Sequence, residues 1–123
     1  MILVDTSIWV DHLHRSEPEL VALLDRSFVV QHPMVLGELA LGTLRDRGTF
    51  LEYLRDLAGL PVATHDEVLA FVDANKLYGQ GLSLVDAHLL ASVRLVPEVR
   101  LWTRDKRLRA ASHELGVAFE PET

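Results

Sequence analysis

The chain has 123 residues, of which 49% are hydrophobic and 24% charged, the composition of an ordinary globular protein long enough to bury a sizeable core. It has no cysteine, which excludes disulfides and thiolate metal sites. A formal net charge of −6 speaks against nucleic-acid binding through the overall field but leaves room for a local basic patch.

The first residues lack a signal-peptide pattern, and no apolar stretch approaches the roughly 20 residues that span a bilayer, so a cytoplasmic protein is expected. Ile2-Leu3-Val4 is an uninterrupted apolar run, as in a strand covered on both faces. Asp5 follows at the strand's end, where open α/β sheets bind ligands. Asp is equally an ordinary N-cap residue, and Thr6 and Ser7 can cap a helix starting with Ile8 and Trp9. Glu17-Pro18-Glu19 opens a second helix, because proline and acids both suit a first turn.

Phe28 to Val30 reads as a second strand, and His32-Pro33 starts a helix that runs to Gly42. Another helix follows Arg47-Gly48 and is broken by Gly59-Leu60-Pro61. A third strand is expected at Leu60 to Ala63, although Pro61 suits only a strand's first residue or an edge. Thr64-His65-Asp66-Glu67 is a helix start. After the Gly79-Gln80-Gly81 loop, Ser83 caps a helix to about Leu95, with Asp86 at the capping-box position. Val99 to Trp102 is a fourth strand, Lys106 to Leu115 a helix, Val117 to Phe119 a last strand, and the polar end is expected to be loose. Strands separated by helices imply one α/β domain over residues 1–123, doubly wound, with a mainly parallel sheet of about four to five strands.

Four acids do not fit an ordinary solvated surface. Asp5 and Asp105 each follow a strand. Glu38 and Asp86 have apolar neighbours three and four residues away, so both are expected to point toward the apolar side of their helices. Plain alternatives exist: Asp86 as a helix cap, and Glu38 paired with a basic residue such as Arg45. If the first and fourth strands are neighbours, the carboxylates share one edge. Close pairs there repel by about 4 kcal/mol at about 4 Å and an effective dielectric of about 20. A hard divalent cation, Mg²⁺ or Mn²⁺, relieves that repulsion and can activate water for attack on a phosphate. Asp5 and Asp105 are the first-choice ligands, Asp86 the third. Glu38 could ligate directly, ligate through water, or orient the attacking water.

Along almost its whole length the chain resembles PIN-domain ribonucleases, specifically the VapC-like toxins of bacterial toxin–antitoxin pairs. The resemblance is carried by Ile2-Leu3-Val4-Asp5-Thr6-Ser7, Gly37-Glu38-Leu39, Ser83-Leu84-Val85-Asp86-Ala87 and Leu101-Trp102-Thr103-Arg104-Asp105. It implies a PIN-like fold and RNA cleavage dependent on Mg²⁺ or Mn²⁺, with Asp5, Glu38, Asp86 and Asp105 as the acidic site. It further implies a cognate antitoxin that covers the site, and homodimerisation. Thr6 and Thr103 resemble the hydroxyls that brace the cluster.

Arg104, Lys106 and Arg107, with Arg109, gather at the start of the last long helix, where cations oppose the helix dipole. Beside an acidic site, Arg104, Lys106 and Arg107 are candidate RNA-phosphate contacts; the bland alternative is a solvated basic face. Trp9 and Trp102 read as core. The six histidines form no zinc pattern, and neither a Walker lysine motif nor a dinucleotide fingerprint supports a nucleotide cofactor. Two other functions compete: a different metal-dependent phosphotransfer domain, and a non-catalytic binding module of the same fold. Ser7, where a phosphatase of this kind would need an acid, counts against the first; the presence of all four acids counts against the second.

Overall fold

The computed structural model describes residues 1–121. Strand β1 (Ile2–Val4) is buried along its whole length, with Leu3 and Val4 at 0% exposure, as its apolar run requires. It lies between β2 (Val29–Gln31) and β4 (Arg100–Trp102), and β2 carries the two-residue edge strand β3 (Ala58–Gly59). The order is β3-β2-β1-β4 and every pairing is parallel. The chain thus builds outward from β1 and then returns to add β4 on β1's other side. The reversal of strand order falls between β1 and β4, where open α/β sheets form a crevice.

The connections are helical: α1 (Thr6–His14) and α2 (Pro18–Asp25) link β1 to β2, and α3 (Pro33–Ala40) and α4 (Arg47–Asp56) link β2 to β3. Helices α5 (His65–Ala74) and α6 (Leu84–Leu95) carry the chain back to β4, and α7 (Lys106–Glu114) follows. Trp9 and Trp102 are buried in the main core, edge-on to Phe50 and Phe119 respectively. A smaller cluster of Ala63, Val68, Ala87 and Ala91 seats α5 on α6.

Two strand expectations are corrected. The third strand is Ala58–Gly59, ahead of the expected Leu60 to Ala63. The Leu60 amide still donates to the Gln31 carbonyl at 3.1 Å, but Pro61 has no N–H to continue the ladder. Instead of a strand at Val117 to Phe119, a single parallel bridge joins Leu101 to Ala118. The end of the chain is also less loose than expected: Glu120 accepts bonds from Arg109 at 2.6 and 2.8 Å and lies 2.7 Å from His113 Nε2. Residues 122 and 123 of that polar end lie outside the described residues.

Candidate active site

Strands β1 and β4 are direct neighbours, with Val4 opposite Trp102, and the Asp5 amide donates to the Trp102 carbonyl at 2.9 Å. The first strand end is therefore fixed against the second. Asp5 is buried and stands at the N-cap position of α1, but its carboxylate makes no capping bond. Its Oδ2 instead accepts from Thr103 Oγ1 at 2.7 Å and from Ser7 Oγ at 2.9 Å. Thr6 and Ser7, expected to cap α1, lie inside its first turn and turn their hydroxyls to acids. The two hydroxyls on Asp5 are themselves tied to the loop after β4. Thr103 Oγ1 accepts from the Asp105 amide at 3.1 Å, and Ser7 Oγ accepts from the Arg104 amide at 3.2 Å.

Asp105 is the N-cap of α7, and its Oδ1 accepts from the Leu108 amide at 2.9 Å. Asp86 closes the expected capping box with Ser83, each accepting from the other's amide at 3.0 Å. Burial pushes the Asp86 carboxyl above its ordinary pKa; the hydrogen bonds from Ser83 oppose this, and the charges of Asp105 and Asp5 push it up further. Helix capping and a place beside the other acids are therefore not alternatives for Asp86: it has both. The three aspartates, distant in sequence, share one electrostatic environment.

Glu38 differs. It is exposed rather than turned toward the apolar side, and Leu41, expected to share its apolar face, is 90% exposed at the C-cap of α3. Thr6 Oγ1 donates to Glu38 Oε1 at 2.7 Å, tying α1 to α3. Glu38 lines a groove of about 620 Å³ with Val10, Leu13, Leu39, Leu44 and Arg45. Among the described residues Glu38 and Arg45 form no ion pair.

The donor chemistry fits Mg²⁺ or Mn²⁺. All three aspartates offer hard carboxylate oxygens, and the charges of Asp105 and Asp5 add to burial in raising the Asp86 pKa. The side chains as they stand do not close round one point. Among the described residues, no group of three or more Asp, Glu or His is arranged to hold an ion. Each aspartate keeps one oxygen on its own backbone or hydroxyl partner.

The basic candidates separate. Arg104 pairs with Asp11 at 2.7 Å and with Glu17 at 2.6 and 3.0 Å, holding the Glu17 carboxyl below its ordinary pKa. It ties the loop after β4 to α1 and to the start of α2, so it is not the available phosphate contact expected. Lys106 and Arg107 are exposed and form no ion pair among the described residues.

Ser7, a hydroxyl two residues after the acid and read from the sequence as capping or bracing it, is the second donor to Asp5. Sequence reasoning missed one feature. His32 is fully buried, accepts from the Met34 amide on Nδ1 at 3.0 Å, and lies 3.0 Å from Ser92 Oγ through Nε2. Sixty positions separate His32 from Ser92, and nothing local connects them.

Fold and site together define an α/β domain with an acidic edge at its switch point. The family model for the PIN domain matches residues 2–114, and the chain belongs to the PIN-domain family. It is similar to Ribonuclease VapC32 of Mycobacterium tuberculosis, strain CDC 1551 / Oshkosh, with 52% identity over 122 residues, covering 99% of this chain and 98% of that one. The same protein from strain H37Rv matches to the same extent. Among solved structures, FitAcB from Neisseria gonorrhoeae superposes with a TM-score of 0.60 at 22% identity, covering 96% of this chain and 95% of the other. FitAB bound to an IR36 DNA fragment gives 0.57 at 18% identity, covering 96% and 92%. These two share the fold.

Proposed function

We propose that this chain is a single-domain endoribonuclease dependent on Mg²⁺ or Mn²⁺, the toxin of a toxin–antitoxin pair acting in the cytoplasm. The observation that carries the reading is the trio Asp5, Asp86 and Asp105, coupled in charge at the switch point of a chain 52% identical to a ribonuclease. Asp5, Asp86 and Asp105 would hold the ion, with Glu38 as a further ligand or as the group that orients water. When bound, such an ion polarises a phosphate oxygen and lowers the pKa of a coordinated water.

The protein's own part is positioning. Thr103 and Ser7 both bond Asp5 Oδ2, which fixes the carboxylate rotamer and leaves Oδ1 without a hydrogen-bond partner among the described residues. Thr6 does the same for Glu38 through Oε1. Lys106 and Arg107 are the available cations for RNA phosphates. The apolar walls of the groove beside Glu38 suit a segment of the antitoxin, which would cover the site from there. The toxin reading also carries a homodimer, checked by sedimentation of the purified chain.

Purified Asp5→Ala decides the activity. The expected result is loss of Mn²⁺-dependent RNA cleavage with an unchanged far-ultraviolet spectrum. Cleavage retained by this variant, with contaminating nuclease excluded, would falsify the assignment. Calorimetry that detects no Mn²⁺ or Mg²⁺ binding at high metal concentration would favour a non-catalytic module instead.

A further inference from the structure

The loop before α6 and the first turn of α7 meet where Arg107 packs on Gly81. Gly81 lies two residues before Ser83, the partner of Asp86, and Arg107 lies two residues after Asp105. A Cβ on Gly81 would stand 2.7 Å from Arg107 Nη1, 2.8 Å from Cδ and 2.9 Å from Cζ. The end of the arginine side chain therefore rests against the bare Cα of Gly81, in space that any other residue would occupy. Gly81 also has φ +73°, the left-handed region that favours glycine.

That seat stretches Arg107 from the segment that carries Asp105 to the segment that carries Asp86. Its neighbours differ. Arg104 is committed to Asp11 and Glu17, and Arg109 to Glu120. Arg107 pairs with no acid among the described residues, despite lying on the acidic rim.

Resting on the ribonuclease reading, we propose that Arg107, seated on Gly81, is the substrate-positioning residue that binds an RNA backbone phosphate at the rim of the aspartate site. A planar guanidinium with its donors held in a fixed fork suits a phosphate diester better than the flexible Lys106 does. The contact carries no base information, so it acts on all RNA sequences alike.

The test measures binding apart from cleavage. In an Asp86→Asn background, a fluorescein-labelled single-stranded RNA of mixed sequence is titrated in Mg²⁺ at several salt concentrations, with and without Arg107→Ala. The expected result is about tenfold weaker binding and a salt slope reduced by about one, at an unchanged melting temperature. Arg107→Lys should recover most of the slope and only part of the affinity. Gly81→Ala keeps the charge but displaces the guanidinium, and should weaken binding as well. Equal affinity and equal slope with and without Arg107 overturn the proposal, as does a fall in melting temperature with binding intact, the mark of a purely structural contact. Failure of the ribonuclease reading shows elsewhere, as wild-type protein in Mn²⁺ that leaves the same RNA intact.

Discussion

Thr103 Oγ1 donates to Asp5 Oδ2 at 2.7 Å across 98 positions of sequence, and the same oxygen accepts from the Asp105 amide. One buried hydroxyl thus sets the distance between the acid after β1 and the acid after β4. Thr103→Val keeps the shape and removes both bonds. It is expected to lower cleavage by roughly 10- to 100-fold, the usual effect of losing a residue that orients a ligand. The stability cost is about 1–3 kcal/mol, since buried polar groups are left unpaired. Thr103→Ser should restore most activity. Single-turnover cleavage and urea denaturation on the three proteins check this; an undiminished rate in Thr103→Val would show that the hydroxyl positions nothing.

Asp86 trades stability for function. Its carboxylate is disfavoured by burial and by the charges of Asp105 and Asp5. Asp86→Asn keeps an oxygen for the Ser83 amide and removes the charge. Metal-free protein with this change should melt at a higher temperature than wild type while losing cleavage. Scanning calorimetry in chelator reads the first effect, and a lower melting point would contradict the view that the three acids repel.

Arg104 and Arg107 should part in behaviour. Arg104 bridges Asp11 and Glu17 with its side chain 41% exposed, so Arg104→Ala should cost at most about 1 kcal/mol and leave the salt dependence of RNA binding unchanged. A reduced salt slope in this variant would mean that the ion pairs open to admit RNA.

His32 predicts acid sensitivity. Burial, assisted by the charge of His88, lowers its pKa from 6.5 to about 4. Between those values the unfolded chain binds the proton and the folded protein does not. The neutral buried histidine therefore favours the fold fully above pH 6.5, and that contribution is lost as pH falls toward 4. The upper limit is about 3 kcal/mol. Denaturation midpoints measured across this window should fall with pH, and less steeply in His32→Asn, which can still accept from the Met34 amide. Parallel pH profiles for the two proteins would remove His32 as the cause.

The sequence by itself determined most of the elements, though not the bounds of β3 or the isolated bridge at Ala118. An apolar run such as Ile2-Leu3-Val4 suits a strand buried on both faces, and Ser83 with Asp86 spells out a capping box whose four atoms lie within one turn. These are local matters, fixed by neighbours in the chain. Its motifs also resemble those of the PIN domain, and the family match over residues 2–114 bears out that family.

Only the tertiary structure decided which of these residues meet. The β3-β2-β1-β4 order makes β1 and β4 neighbours, and that alone brings Asp5 to Thr103 and to the Asp105 turn. The commitment of Arg104 to Asp11 and Glu17, the exposure of Glu38, and the seat of Arg107 on Gly81 each depend on a contact between distant segments. A side chain's residue type says what it can bind. Which partner it reaches first is settled by the packing of elements that the chain joins through long connections.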